Sequence, residues 1–84
     1  MISDEVYDFL TFDGKQHIPF ACIGDNYKKT ISVYSGGKVF NATGWKVGWD
    51  IGPKDLIRTG GIIINNCYYN AHVPSQVAMA KSLP

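Results

Sequence analysis

The chain has 84 residues, 45% of them hydrophobic and 18% charged, and a formal net charge of +1. That length allows at most one small domain, and that composition excludes a disordered, highly charged chain. The longest basic run is Lys28-Lys29, and no apolar stretch approaches the roughly 20 residues that cross a bilayer, so neither nucleic acid nor a membrane is an expected partner.

In chain order, Ile2-Ser3 reads as the end of a strand. A turn or short helical piece follows, through Val6, Tyr7, Phe9, Leu10 and Phe12. Asp13-Gly14 is a turn dipeptide, and the stretch from Gln16 to Cys22 is loop-like around Pro19. Thr30 to Tyr34 alternates and is rich in β-branched residues, which predicts a strand. Ser35-Gly36-Gly37-Lys38 breaks it. Trp45, Val47, Trp49 and Ile51 fall at alternate positions, which predicts a second strand over Gly44 to Ile51, with both tryptophans packing on one face.

From Pro53 the pattern is helical, with Pro53 in the first turn and Asp55 near the N-terminus. Gly60-Gly61 should weaken, kink or break that helix, at roughly 1 kcal/mol per glycine against alanine. A second helix is expected from Pro74-Ser75. Strand, glycine loop, strand and helices together indicate an α/β protein containing part of a sheet.

Cys22 and Cys67 lack CxxC spacing and are expected as reduced thiols, small core residues of an intracellular protein. Met1-Ile2 runs directly into Ser3-Asp4-Glu5, which does not read as a secretory signal. The expected location is cytoplasmic, with the mitochondrion open for a longer parent. The pattern begins inside a strand and stops on Leu83-Pro84 while still helical, so a fragment of a larger chain is expected. His17 and His72 stand alone without metal-ligand spacing, and no metal is expected.

Lys38 carries the chemistry. It follows two glycines at the end of a predicted strand, where glycine permits a sharp turn and close approach of the backbone to a ligand. Burial disfavours the charged form of a lysine amine, and a neutral amine can attack a carbonyl carbon to form a Schiff base. A nucleotide phosphate loop is rejected. It needs glycine five residues before the Gly-Lys pair and Ser or Thr after the lysine, and those positions hold Ser32 and Val39.

Three clusters agree in order and spacing: Ser3-Asp4-Glu5-Val6-Tyr7, then Ser35-Gly36-Gly37-Lys38 running on through Val39-Phe40-Asn41-Ala42-Thr43-Gly44-Trp45-Lys46-Val47-Gly48-Trp49, then Ile51-Gly52-Pro53. On these residues the chain resembles the class I/II, fold-type I aminotransferases, which use pyridoxal 5′-phosphate, and within them the kynurenine aminotransferase (cysteine-S-conjugate β-lyase) branch. The resemblance implies that residues 1–84 are part of the large, cofactor-binding domain, a piece of a mixed sheet with flanking helices that contains the cofactor lysine.

By the same resemblance, Lys38 would hold the cofactor and act as general acid and base at the substrate α-carbon. Asp4 would pair with the pyridine nitrogen, Tyr7 would donate to the phenolic oxygen, and Ser35 and Lys46 would hold the phosphate. The wider family usually has arginine in place of Lys46, and lysine offers a point charge without the bidentate fork. Gly36 departs from a larger family residue and is expected to loosen the loop. Tyr69 matches an aromatic that reaches the substrate pocket of a partner subunit, and Asn70 replaces a histidine common in the kynurenine branch. Glu5 is expected to be structural or solvated.

The implied parent is a homodimer of about 400 residues acting on an amino acid, of kynurenine or glutamine type, and a 2-oxo acid. Its phosphate-binding glycine turn, its ring-stacking aromatic and its carboxylate-gripping arginine would all lie outside this chain, so weak activity is expected of the segment alone. Two other readings stay open at this point: a short non-catalytic domain used for binding or assembly, and another enzyme of the same fold such as a C–S β-lyase.

Overall fold

The computed structural model describes residues 1–83. Three strands form one mixed sheet in the order β1-β2-β3: β1 over Ile2–Asp4, β2 over Ile31–Ser35 and β3 over Gly48–Ile51. β1 runs parallel to β2, with Asp4 beside Val33, and β3 runs antiparallel to β2, with Ser35 beside Gly48. Three helices complete the fold: α1 over Gly36–Val39, α2 over Lys54–Cys67 and α3 over Val73–Ser82.

This topology decides where the chemistry sits. β1 and β2 are parallel, so Asp4 and Ser35 both lie at the carboxyl end of their strands, and β3 starts at that same end just after Lys46. The carboxyl ends of strands are where open α/β sheets bind ligands. Residues 5–30 connect β1 to β2 through turns and two short 3-10 segments, Phe20–Cys22 and Asn26–Lys29. Thr30 is fully buried where this connection enters β2, and its Oγ1 donates to the Asn26 carbonyl at 2.7 Å.

Several local expectations are corrected. The Ser35-Gly36-Gly37-Lys38 loop is a single helical turn beginning at Gly36, with Ser35 at its N-cap. The second strand starts at Gly48 instead of Gly44. Ahead of it, Thr43–Trp45 forms a 3-10 turn, and Lys46 closes that turn in the left-handed region at φ 54°. A residue with a Cβ there costs roughly 1–2 kcal/mol, and the reversal redirects the chain before alternation can begin.

The two tryptophans therefore do not share a strand face. Trp45 lies outside the strand and is exposed, whereas Trp49 stacks on its cross-strand partner Tyr34 with ring centroids 5.9 Å apart. Such aromatic pairs stabilise a sheet by about 0.2–1 kcal/mol.

α2 runs unbroken through Gly60-Gly61, where a weakened, kinked or broken helix is expected from the sequence, and Pro53 is its N-cap residue. Glycine lowers helix propensity but keeps its amide N–H, so the i→i−4 bonds continue across the pair. Among the described residues no helix is long and apolar enough to cross a membrane.

The core is small. Among the described residues, Val47 and Met79 are the buried hydrophobic ones, while Phe12, Ile62, Ile63 and Tyr68 are all exposed. Cys22 and Cys67 are exposed free thiols, which corrects their assignment to the core. Cys22 ends a turn on the surface connection, and Cys67 ends α2, whose apolar side meets little of this chain.

The glycines of α1 serve packing of the protein on itself. A Cβ on Gly36 would sit 2.5 Å from the Met79 sulfur, so Gly36 is the seat of α3 and does not loosen the turn. A Cβ on Gly37 would sit 2.8 Å from the Thr43 Cα. Backbone yields less readily than a methionine side chain, so Gly37→Ala is expected to destabilise more than Gly36→Ala, within the ~1–3 kcal/mol of overpacked sites. Met79→Ala should relieve the Gly36 variant and leave the Gly37 variant unrelieved. Thermal unfolding of the single and paired variants measures both effects.

Candidate active site

Two neighbouring clefts open at the end of the sheet where β1 and β2 finish. Ser35, Lys38 and Lys46 line one of about 360 Å³, together with Val6, Tyr34 and Thr43. Asp4 and Tyr7 line the other, of about 420 Å³, with Glu5, Asp8 and His17. Val6 borders both. The end of β2 positions Ser35, the turn of α1 positions Lys38, and the left-handed reversal before β3 brings Lys46 back to the same place.

Lys38 is half-buried, and its ammonium lies over the Tyr7 ring, 5.9 Å from the centroid. That is the outer reach of a cation–π attraction. It ties the lysine of one cleft to the aromatic of the other. Ser35 makes no side-chain capping bond with α1, so its hydroxyl is not consumed by the helix end. Thr43 Oγ1 donates to the Gly37 carbonyl at 3.4 Å and helps fold the 3-10 turn onto α1. Asp4 is exposed, and its Oδ1 accepts the Val6 N–H at 3.2 Å, which shapes the turn after β1.

Charge is divided across the site. Lys38 and Lys46 face one cleft, while Asp4, Glu5 and Asp8 border the other. An elongated ligand with an anion at one end and a protonated ring nitrogen at the other matches this donor set: ammonium and hydroxyl groups for the anion, a carboxylate for the ring cation. Five residues singled out in the sequence therefore gather at one end of the sheet. Tyr69 is not among them. It is 87% exposed, follows the end of α2 with φ at 65°, and lines neither cleft.

Residue-by-residue reading missed the pairing of Glu5 with His17. The Glu5 carboxylate is 5% exposed, and its Oε2 meets His17 Nε2 at 2.6 Å. Its Oε1 accepts from Ser3 Oγ at 2.8 Å and from the Phe20 N–H at 3.1 Å. No regular spacing announces a contact across residues 5–17 of a turn-rich segment. Burial pushes the Glu5 carboxyl up, but the Ser3 hydroxyl, the Phe20 N–H and the His17 ring outweigh it and hold it below its ordinary value of 4.5.

The stability consequence has a definite sign. A carboxyl whose folded value is depressed contributes stability that is present above its unfolded value and lost as pH falls through its folded value. The chain is therefore expected to lose stability on acidification below about 4.5, and Glu5→Gln to flatten that acid limb. Urea midpoints followed from neutral to acid pH in both proteins measure the difference.

The model of the aminotransferase class I and II family matches residues 1–83. The chain belongs to that family. It is 45% identical to a kynurenine–oxoglutarate transaminase of Dictyostelium discoideum, over 99% of this chain and 19% of the relative. It is 41% identical to kynurenine–oxoglutarate transaminase 3 of Mus musculus, over 96% of this chain and 18% of that protein. Among solved structures it superposes on YbdL from Escherichia coli, described as having a methionine aminotransferase function, with a TM-score of 0.89 and 29% identity over 95% of this chain and 21% of that one. The chain thus spans about a fifth of the length of the aminotransferases it matches. The mixed sheet with flanking helices is a piece of the fold-type I aminotransferase architecture.

Proposed function

We propose that residues 1–84 are the cofactor-lysine region of the large domain of a pyridoxal-phosphate aminotransferase that moves an amino group from an amino acid to a 2-oxo acid. The observation that carries this reading is the convergence of Ser35, Lys38 and Lys46 on one cleft, beside the cleft of Asp4 and Tyr7 and with the Lys38 ammonium over the Tyr7 ring. Bound there, pyridoxal 5′-phosphate would supply an electron sink for the substrate α-carbon.

The chain's own residues divide the remaining work. Lys38 would be the point of attachment, and its free amine would move a proton to and from the substrate α-carbon. Asp4 would hold the ring nitrogen in its protonated form. Tyr7 would donate a hydrogen bond to the ring's phenolic oxygen. Ser35 and Lys46 would hold the phosphate, one as a hydroxyl donor and one as a point charge.

The names of the relatives favour kynurenine as amino donor with oxoglutarate as acceptor, and the bacterial structure extends the class to a sulfur amino acid. We also propose that the whole enzyme is a homodimer in which Tyr69 enters the partner's substrate pocket. Its near-complete exposure beyond the end of α2 supports this. The test is to incubate the protein with pyridoxal 5′-phosphate, reduce with borohydride and locate the adduct. When kynurenine is added before the reduction, a kynurenine-dependent loss of that adduct, with release of the corresponding 2-oxo acid, supports transamination. Release of a C–S cleavage product alone points to a lyase.

A further inference from the structure

None of the roles above uses Glu5, yet its carboxylate is held on every side. A charged group this deeply buried is sustained only by donors, and Glu5 has three: Ser3 Oγ, the Phe20 N–H and His17 Nε2. Its backbone is fixed as well. The Glu5 N–H donates to the Val33 carbonyl at 2.9 Å, continuing the pairing of β1 with β2, and the Glu5 carbonyl accepts the Asp8 N–H at 3.0 Å, closing the turn.

The location makes this network more than packing. Glu5 lies between Asp4 and Tyr7, both of which are exposed and therefore receive little positioning from a core of their own. The only side-chain bond of Asp4 among the described residues is to Val6 within the same turn. The carboxylate of Glu5 joins that turn to the distant segment of residues 17–20, and His17 lines the same cleft as Asp4 and Tyr7.

We propose that Glu5 and His17 are positioning residues for the chemistry proposed above, clamping the turn so that Asp4 and Tyr7 meet the cofactor ring at fixed places. The inference rests on that functional reading, and its test keeps the two separable. His17→Phe removes the ring N–H donor, and His17→Gln restores an N–H donor of similar reach.

Two readouts are taken in the full chain: the aromatic proton resonances of Tyr7 without cofactor, and the absorption maximum of pyridoxal 5′-phosphate captured at Lys38. His17→Phe is expected to move the Tyr7 resonances and to shift the absorption maximum in the same direction as Tyr7→Phe, with capture at Lys38 retained. His17→Gln is expected to return both toward the parent values. A purely structural pair would lower stability without moving either readout in the folded protein, and that result overturns the proposal.

If the phenylalanine variant does not fold, Ser3→Ala, which removes one donor from Oε1, takes its place. Moved readouts in the folded serine variant then uphold the clamp, and unmoved ones overturn it. If the unsubstituted chain takes no cofactor at Lys38, the functional reading fails for this chain. The Tyr7 resonances then decide the clamp alone: unmoved resonances sink it, and resonances moved by His17→Phe and restored by His17→Gln uphold it.

Discussion

Lys38→Ala is expected to abolish the borohydride-trapped cofactor adduct, and Lys38→Arg to do no better. Alanine has no amine. Arginine keeps the positive charge but does not lose its proton in proteins, so it offers no nucleophile to a carbonyl carbon. The pair of variants separates covalent capture from charge attraction. If the lysine served only as a cation over Tyr7, arginine would preserve binding. Because the α1 turn is fixed by backbone bonds and by glycines packed against Met79 and Thr43, neither variant should disturb the turn itself. Absorbance and peptide mass after reduction measure the loss.

Lys46→Ala should give the second-largest effect. A hydrogen bond to a charged group contributes about 1.5–3 kcal/mol, which is roughly a 10- to 150-fold loss of cofactor affinity. The loss should be confined to the phosphorylated cofactor. With pyridoxal, which lacks the phosphate, parent and variant should bind alike. Alanine keeps a Cβ at the left-handed position, so the backbone cost at φ 54° is unchanged. Lys46→Arg should retain or tighten binding, since the guanidinium fork matches phosphate geometry. Titration of both variants with the two forms of the cofactor gives the comparison.

The sequence was most readable where one residue type has one physical meaning. The β-branched run ending at Tyr34 predicted β2 to within a residue of its observed Ile31–Ser35 span. Proline and aspartate marked the start of α2, again to within a residue. The proposed site residues were read from several short motifs that agree in order, and the parallel pairing of β1 with β2 puts two of those motifs at one end of the sheet.

The failures share a cause, which is that backbone reversals and tertiary contacts leave no periodic trace. Alternation from Trp45 to Ile51 looked like one strand, but a left-handed Lys46 cuts it at Gly48. Gly60-Gly61 looked like a weak point, a kink or a break, but the helix continues across it because glycine keeps the amide that the helix needs. Gly36 looked like slack in a loop, but it is where Met79 seats. Glu5 and His17 looked unconnected because the turns between them follow no repeat. The exposed cysteines and isoleucines show the limit of inferring burial from residue type in a chain that spans about a fifth of its relatives.

The most direct measurement is the position of the trapped cofactor. After incubation with pyridoxal 5′-phosphate, borohydride reduction and digestion, peptide mass spectrometry should place the added mass on Lys38. Mass spread over the exposed Lys15, Lys28, Lys29 and Lys54, with none on Lys38, would contradict the assignment of this cleft as a cofactor site.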